Sequence, residues 1–101
     1  MLEKEVERHL VFLVKTKLQG KAIKFKSPAN RSYPDRLCMA PGGILFFVEC
    51  KAPGKKPTIK QAIKMDELRR YGQHVHVCDT KVSARAIVMH YAEIQTENLD
   101  W

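Results

Sequence analysis

Two carboxylates and a lysine stand out by their placing. Asp35 follows Pro34, and thirteen residues separate it from Glu49, which opens the tripeptide Glu49-Cys50-Lys51 after the apolar run Ile44-Leu45-Phe46-Phe47-Val48. The stretches Arg36–Ala40 and Ile44–Lys51 read as short strands, and Pro41-Gly42-Gly43 between them suits a hairpin connection. The ends of neighbouring strands meet in a hairpin, so Asp35 and Glu49 come within a few ångströms of each other. Two carboxylates that close repel unless a proton or a cation lies between them, which makes the pair a natural Mg²⁺ or Mn²⁺ site. Strand alternation puts Glu49 and Lys51 on one face and the Cys50 side chain on the other. The Lys51 ammonium then stands beside the carboxylates, where it can orient an attacking water and offset charge building on a phosphate.

The surrounding sequence supplies the elements that must hold these groups. Val6, Leu10, Leu13, Val14 and Leu18 recur at three- and four-residue steps and predict a helix over Glu3–Gln19 that ends at Gly20. Ala22–Lys26 alternates, Ile23 and Phe25 against Lys24 and Lys26, as a half-exposed strand does. Ser27–Pro34 is a loop of turn formers, and Ala52–Pro57 is a Pro/Gly/Lys loop. Thr58-Ile59-Lys60-Gln61 matches a capping box that opens a second helix, which runs to Tyr71, stops at Gly72 and has an expected apolar face of Ile59, Ala62, Ile63, Met65 and Leu68. His74–Cys78 reads as a further strand and Ser83–Tyr91 as a third helix, with a polar tail to Trp101. The order α-β-β-β-α-β-α over a single domain, residues 1–101, predicts an α/β fold: a mixed central sheet flanked by helices.

At 101 residues, with 45% hydrophobic and 29% charged residues, the chain has the composition of one small globular domain. The five-residue apolar run falls far short of the roughly 18 residues a membrane span requires, and the N-terminus lacks a secretory pattern, so a cytoplasmic protein with no membrane partner is expected. Eighteen Lys and Arg against eleven Asp and Glu give a net charge of +7, which favours a polyanionic partner, nucleic acid foremost. The three cysteines, Cys38, Cys50 and Cys78, are widely spaced in apolar stretches and read as reduced core residues rather than a disulfide framework or a metal knuckle.

The Pro-Asp before a short strand, the strand ending Val-Glu-Cys-Lys, the Ala-Pro-Gly-Lys loop and the helix entering at Thr-Ile-Lys-Gln together resemble the PD-(D/E)xK nucleases. Within them the likeness is to the VRR-NUC (virus-type replication-repair nuclease) domain in its stand-alone viral, phage form, and it covers nearly the whole chain. The resemblance implies a restriction-endonuclease-like fold and hydrolysis of DNA phosphodiesters with Mg²⁺ or Mn²⁺ and no nucleotide cofactor. It places metal on Asp35, Glu49 and the backbone carbonyl of Cys50, and gives Lys51 the catalytic role. The family's helix Gln falls on Gln61 and its N-terminal Glu on Glu3, with Glu5 and Glu7 as competitors. It further implies selectivity for branched DNA such as four-way (Holliday) junctions, in DNA repair, inside the host-cell cytoplasm.

Lys55, Lys56, Lys60 and Lys64 follow the motif, and Lys21, Lys24, Lys26, Arg31 and Arg36 surround its first half, a distribution that would bracket the acidic site with phosphate-binding charge. The plainer alternative is a solvated lysine face. His74 and His76, two apart on a strand, form a metal pair only if a third ligand exists, and none has suitable spacing. Tyr33 either stacks on a base or caps the core. A symmetric junction needs two cuts, so a homodimer is expected, with Ile87, Val88, Tyr91, Leu99 and Trp101 as candidate contacts. Two other functions fit the same fold: a non-catalytic nucleic-acid-binding module, and a nuclease subunit that requires a partner protein.

Overall fold

The stripe on the first helix finds its complement in a sheet. The structure, a computed structural model, describes residues 1–99. Helix α1 (Glu3–Leu18) is followed by strands β1 (Lys21–Lys24), β2 (Arg36–Ala40) and β3 (Ile44–Cys50), helix α2 (Ile59–Arg70), strand β4 (Val75–Cys78) and helix α3 (Lys81–Leu99). The strands lie in the order β1-β2-β3-β4. The first three are antiparallel neighbours, and β4 runs parallel to β3 with α2 as the crossover. The element order and the mixed sheet are those read from the sequence. The hairpin register Arg36↔Val48 through Ala40↔Ile44 turns through Gly42 and Gly43, both at positive φ (90° and 73°).

Register and alternation give the sheet two unlike faces. Ala22, Cys38, Phe46, Val48, Cys50 and Cys78 pack with Val6, Leu10, Leu13, Val14 and Leu18 of α1 and with Ala84, Val88 and Tyr91 of α3 to form the main core. Phe47 and Val75 on the opposite face pack with Met65 and Leu68 of α2, joined by Phe25, Tyr33 and Leu37. All five stripe residues of α1 are at most 1% exposed, and the helix buries the face its periodicity defines. Helix α1 ends through Gln19, whose backbone is left-handed (φ 59°), and Gly20 is required by close packing: a Cβ there would meet the Met39 carbonyl oxygen at 2.2 Å.

Three expectations need correction. The segment read as a polar tail continues α3 as far as Leu99, held by two of its polar residues that bond backbone carbonyls elsewhere in the fold. Gln95, 9% exposed, donates through Nε2 to the carbonyls of Leu18 (2.7 Å) and Pro41 (2.9 Å), and Asn98 donates to Gly42 (2.7 Å). On α2 only Met65 and Leu68 are buried, while Ile59 and Ile63 are 81% and 56% exposed, so the helix meets the sheet along a narrower stripe than the one expected. Finally, Val88 and Tyr91 are core residues of the protomer, which removes them as interface candidates, and Ile87 is half-buried against that core. Leu99 is partly exposed, and Trp101 lies outside the described residues.

Among the described residues no helix is long and apolar enough to cross a membrane.

Candidate active site

The register that pairs Arg36 with Val48 sets Asp35 opposite Glu49 when carried one residue further. Asp35 stands on the α2 face of the sheet, and its Oδ2 accepts the backbone N–H of Cys50 at 2.8 Å, so the strand carrying Glu49 also fixes the Asp35 carboxylate. Glu49 is 1% exposed. Lys51 shares its face, as alternation required, with Nζ 3.6 Å from Glu49 Oε2, and its backbone N–H donates to Cys78 O at 2.9 Å.

A second ammonium, that of Lys26, which the sequence offers only as one of the basic residues around the motif, completes the arrangement. The pairing of β1 and β2 continues past Lys24 through a bond from Phe25 N–H to Asp35 O, which brings the next residue alongside the carboxylates. Lys26 Nζ lies 3.0 Å from Asp35 Oδ1 and 3.3 and 3.4 Å from the two Glu49 oxygens.

Burial and charge divide the two acids. Burial, then the hydrogen bond and the charge of Asp35, push Glu49 up to about 7 against the pull of Lys26 and Lys51. Burial would raise Asp35 as well, but the hydrogen bonds from Glu49, Cys50 N–H and Lys26 outweigh it and hold Asp35 below its ordinary value. Like charges this close are tolerated with a proton or a cation between them: Glu49, raised to about 7, favours its proton on the acid side of neutrality, and Lys26 supplies the cation.

The remaining sequence candidates are placed more loosely. Gln61 forms the full capping box with Thr58: its N–H donates to Thr58 Oγ1 (3.2 Å) and its Oε1 accepts from Thr58 N–H (2.9 Å), so its side-chain oxygen is committed to the helix end. Glu3 and Glu5 are exposed in the first turn of α1. Glu7 is the N-terminal acid that reaches the sheet, where it accepts from Arg36 Nε at 2.7 Å. Arg36 also donates to Ala22 O and pairs in register with Val48, on the face opposite Asp35 and Glu49. It joins Lys4, Arg8 and Lys24 around an open cleft of about 230 Å³. Arg31, Lys55, Lys56 and Lys60 are exposed on loops and on the first turn of α2. Lys64 lies 5.3 Å above the Tyr33 ring, which packs edge-on against Phe25, so Tyr33 caps the second core. His76 faces the main core, where its Nε2 meets the Tyr91 hydroxyl, and the described residues contain no group of three His, Cys, Asp or Glu side chains able to hold a metal.

The three cysteines are free and buried as expected. Burial pushes the Cys38 thiol up to about 12, the state of an inert core residue. A surface groove of about 610 Å³ beside Ile63, Asp66, Arg69 and Arg70 contains none of the candidate site residues.

No family model matches the chain. Over 79 residues it is 47% identical to "Putative nuclease p44" of Acyrthosiphon pisum secondary endosymbiont phage 1, an alignment that spans 78% of this chain and 84% of that protein. A solved structure described as a VRR_NUC domain superposes with a TM-score of 0.79 at 26% identity, covering 88% of this chain and 96% of its own.

Proposed function

Because this chain belongs to the VRR-NUC family of nucleases, we propose that Asp35, Glu49 and Lys51 form its active site, and that it hydrolyses DNA phosphodiesters with Mg²⁺ or Mn²⁺. The observation that carries this reading is the pair of carboxylates, Glu49 buried and Asp35 partly buried, gathered around a cation, with a second ammonium on the same strand face.

The donor set fits a divalent ion. Two carboxylates supply hard anionic oxygens, and the space between them already accommodates a positive charge, that of Lys26. Asp35 and Glu49 would hold the metal, with the Cys50 carbonyl as a third oxygen. When bound, such an ion supplies Lewis-acid activation of water and of the scissile phosphate. Lys51, whose side chain is 13% exposed, keeps its ammonium beside Glu49, positioned to orient the attacking water and to offset the charge gathering on the phosphoryl oxygens. Asp35 is fixed by Cys50 N–H, so the carboxylate does not need to reorganise during the reaction.

Substrate binding is assigned to the charge around this site. Lys55, Lys56, Lys60 and Lys64 belong to the loop and helix after β3 and Arg31 to the loop before β2, whereas Arg36, with Lys4, Arg8 and Lys24, lies across the sheet on the α1 side around a separate cleft. Neutralising any two of Lys55, Lys56, Lys60 and Lys64 should weaken binding of all DNA sequences about equally and reduce the slope of log affinity against log salt by roughly two units. An unchanged slope returns these lysines to a solvated face.

The finer reading is selectivity for branched DNA, four-way junctions in particular, by a homodimer whose two sites cut opposing strands. A cleavage panel of linear, flap, fork and four-way DNA in Mg²⁺ and Mn²⁺ tests selectivity, and equal rates on all four contradict it. The apolar surface left for a dimer contact includes Ile23, Met39 and Leu45, each about 40% exposed on the sheet face that α2 leaves uncovered. Sedimentation equilibrium without DNA should give twice the protomer mass of 11.6 kDa at micromolar concentration, and a single species at the protomer mass overturns the pre-formed dimer.

A further inference from the structure

The place between the two site carboxylates is filled by a cation that belongs to the chain. Lys26 bridges Asp35 and Glu49 at 3.0–3.4 Å, and its side chain, 27% exposed against 11% and 1% for the two acids, closes them off from the solvent side. A divalent ion at the same carboxylates would bring the local charge to four positive against two negative if Lys26 and Lys51 both stayed. In a poorly hydrated site such an excess is strongly unfavourable. One ammonium must leave, and the fold distinguishes the two. Lys51 is tied down by its backbone bond to Cys78 at the end of β3, and its side chain is 13% exposed. Lys26 lies two residues past the end of β1, after the bond from Phe25 N–H to Asp35 O, and its side chain is on the more open side, 27% exposed.

We propose that Lys26 is the resident counterion of this site: it holds Asp35 and Glu49 together in the metal-free protein, gives way to the divalent ion, and then offers its freed ammonium to a phosphate oxygen of the DNA. This rests on the metal-site reading above and adds a consequence to it. The same ammonium cannot bridge the carboxylates and bind phosphate, so metal loading and backbone capture are coupled through one side chain.

The test is calorimetric titration of Mn²⁺ into the whole chain at pH 8 without DNA, comparing wild type with Lys26→Met, which keeps the aliphatic stem, and Lys26→Gln, which keeps a polar end. Both variants should bind Mn²⁺ about tenfold or more tightly than wild type. Their metal-free forms should melt earlier, and the deficit should shrink when Mn²⁺ is bound. With Ca²⁺ supporting binding, both variants should lose about one unit of the salt slope for DNA relative to wild type, and none in EDTA. Mn²⁺ affinity equal to or below that of wild type in both variants overturns the counterion proposal and leaves the metal site standing. No Mn²⁺ binding by any of the three proteins overturns the metal site itself.

Discussion

Asp35→Asn and Glu49→Gln should each lower phosphodiester hydrolysis by about 10²–10³-fold or more while DNA binding persists. Each substitution preserves shape and removes one of the two negative charges at the site, whereas the exposed lysines assigned to DNA binding are untouched. Single-turnover cleavage beside fluorescence anisotropy separates the two properties, and near-normal turnover by either variant contradicts the assignment. A pH signature accompanies the loss. Glu49 rises from 4.5 to about 7 on folding, so between those values the folded protein keeps a proton that the unfolded chain has released. Its contribution to stability is complete below about 4.5 and is lost as pH climbs through 7. Asp35, held below its ordinary value, acts in the opposite sense and in a lower window; Lys26, raised, loses its contribution only in strong alkali. The metal-free protein should therefore melt progressively earlier from pH 4.5 to 7, and Glu49→Gln should flatten that slope.

Lys51→Ala should lower turnover by a comparable factor through a different route. Both carboxylates remain, so Mn²⁺ affinity measured by calorimetry should be equal to or higher than that of wild type, because an ammonium 3.6 Å from Glu49 has been removed. The attacking water and the phosphate lose their cationic neighbour, and the rate falls with the metal in place. Parallel loss of Mn²⁺ binding in Lys51→Ala and Asp35→Asn would show that the lysine holds the site together rather than serving the chemistry.

The parts of this molecule that announce themselves in the sequence are those governed by a short repeat. The α1 stripe follows the helical period, and the Glu49/Lys51 face follows the strand period. The meeting of Asp35 with Glu49 follows from hairpin closure, because each is one step beyond or at the end of its strand. Lys26 is legible only as one of the charges around the motif, for the converse reason: β1 ends at Lys24, and alternation no longer governs where the next side chains point. A lysine there looks like any other in a chain of net charge +7. Polarity misled at the C-terminus, where Gln95 and Asn98 read as solvated yet complete the hydrogen bonding of backbone carbonyls on α1 and in the hairpin. On α2, periodicity gave the helix but not how far it tilts onto the sheet, so Ile59 and Ile63 stand outside. Arg36 illustrates a further gap: charge is legible, but its partner, Glu7, is 29 residues away and found only through the fold.

The central claim, that this chain alone hydrolyses DNA with a divalent ion held at Asp35 and Glu49, is tested most directly by incubating the purified protein, without other proteins, with four-way DNA in Mg²⁺ and in EDTA. The expected result is cleaved product in Mg²⁺ and none in EDTA, restored when Mg²⁺ is added back. Cleavage that continues undiminished in EDTA, or intact DNA in both Mg²⁺ and Mn²⁺ while the protein binds it, would contradict the claim.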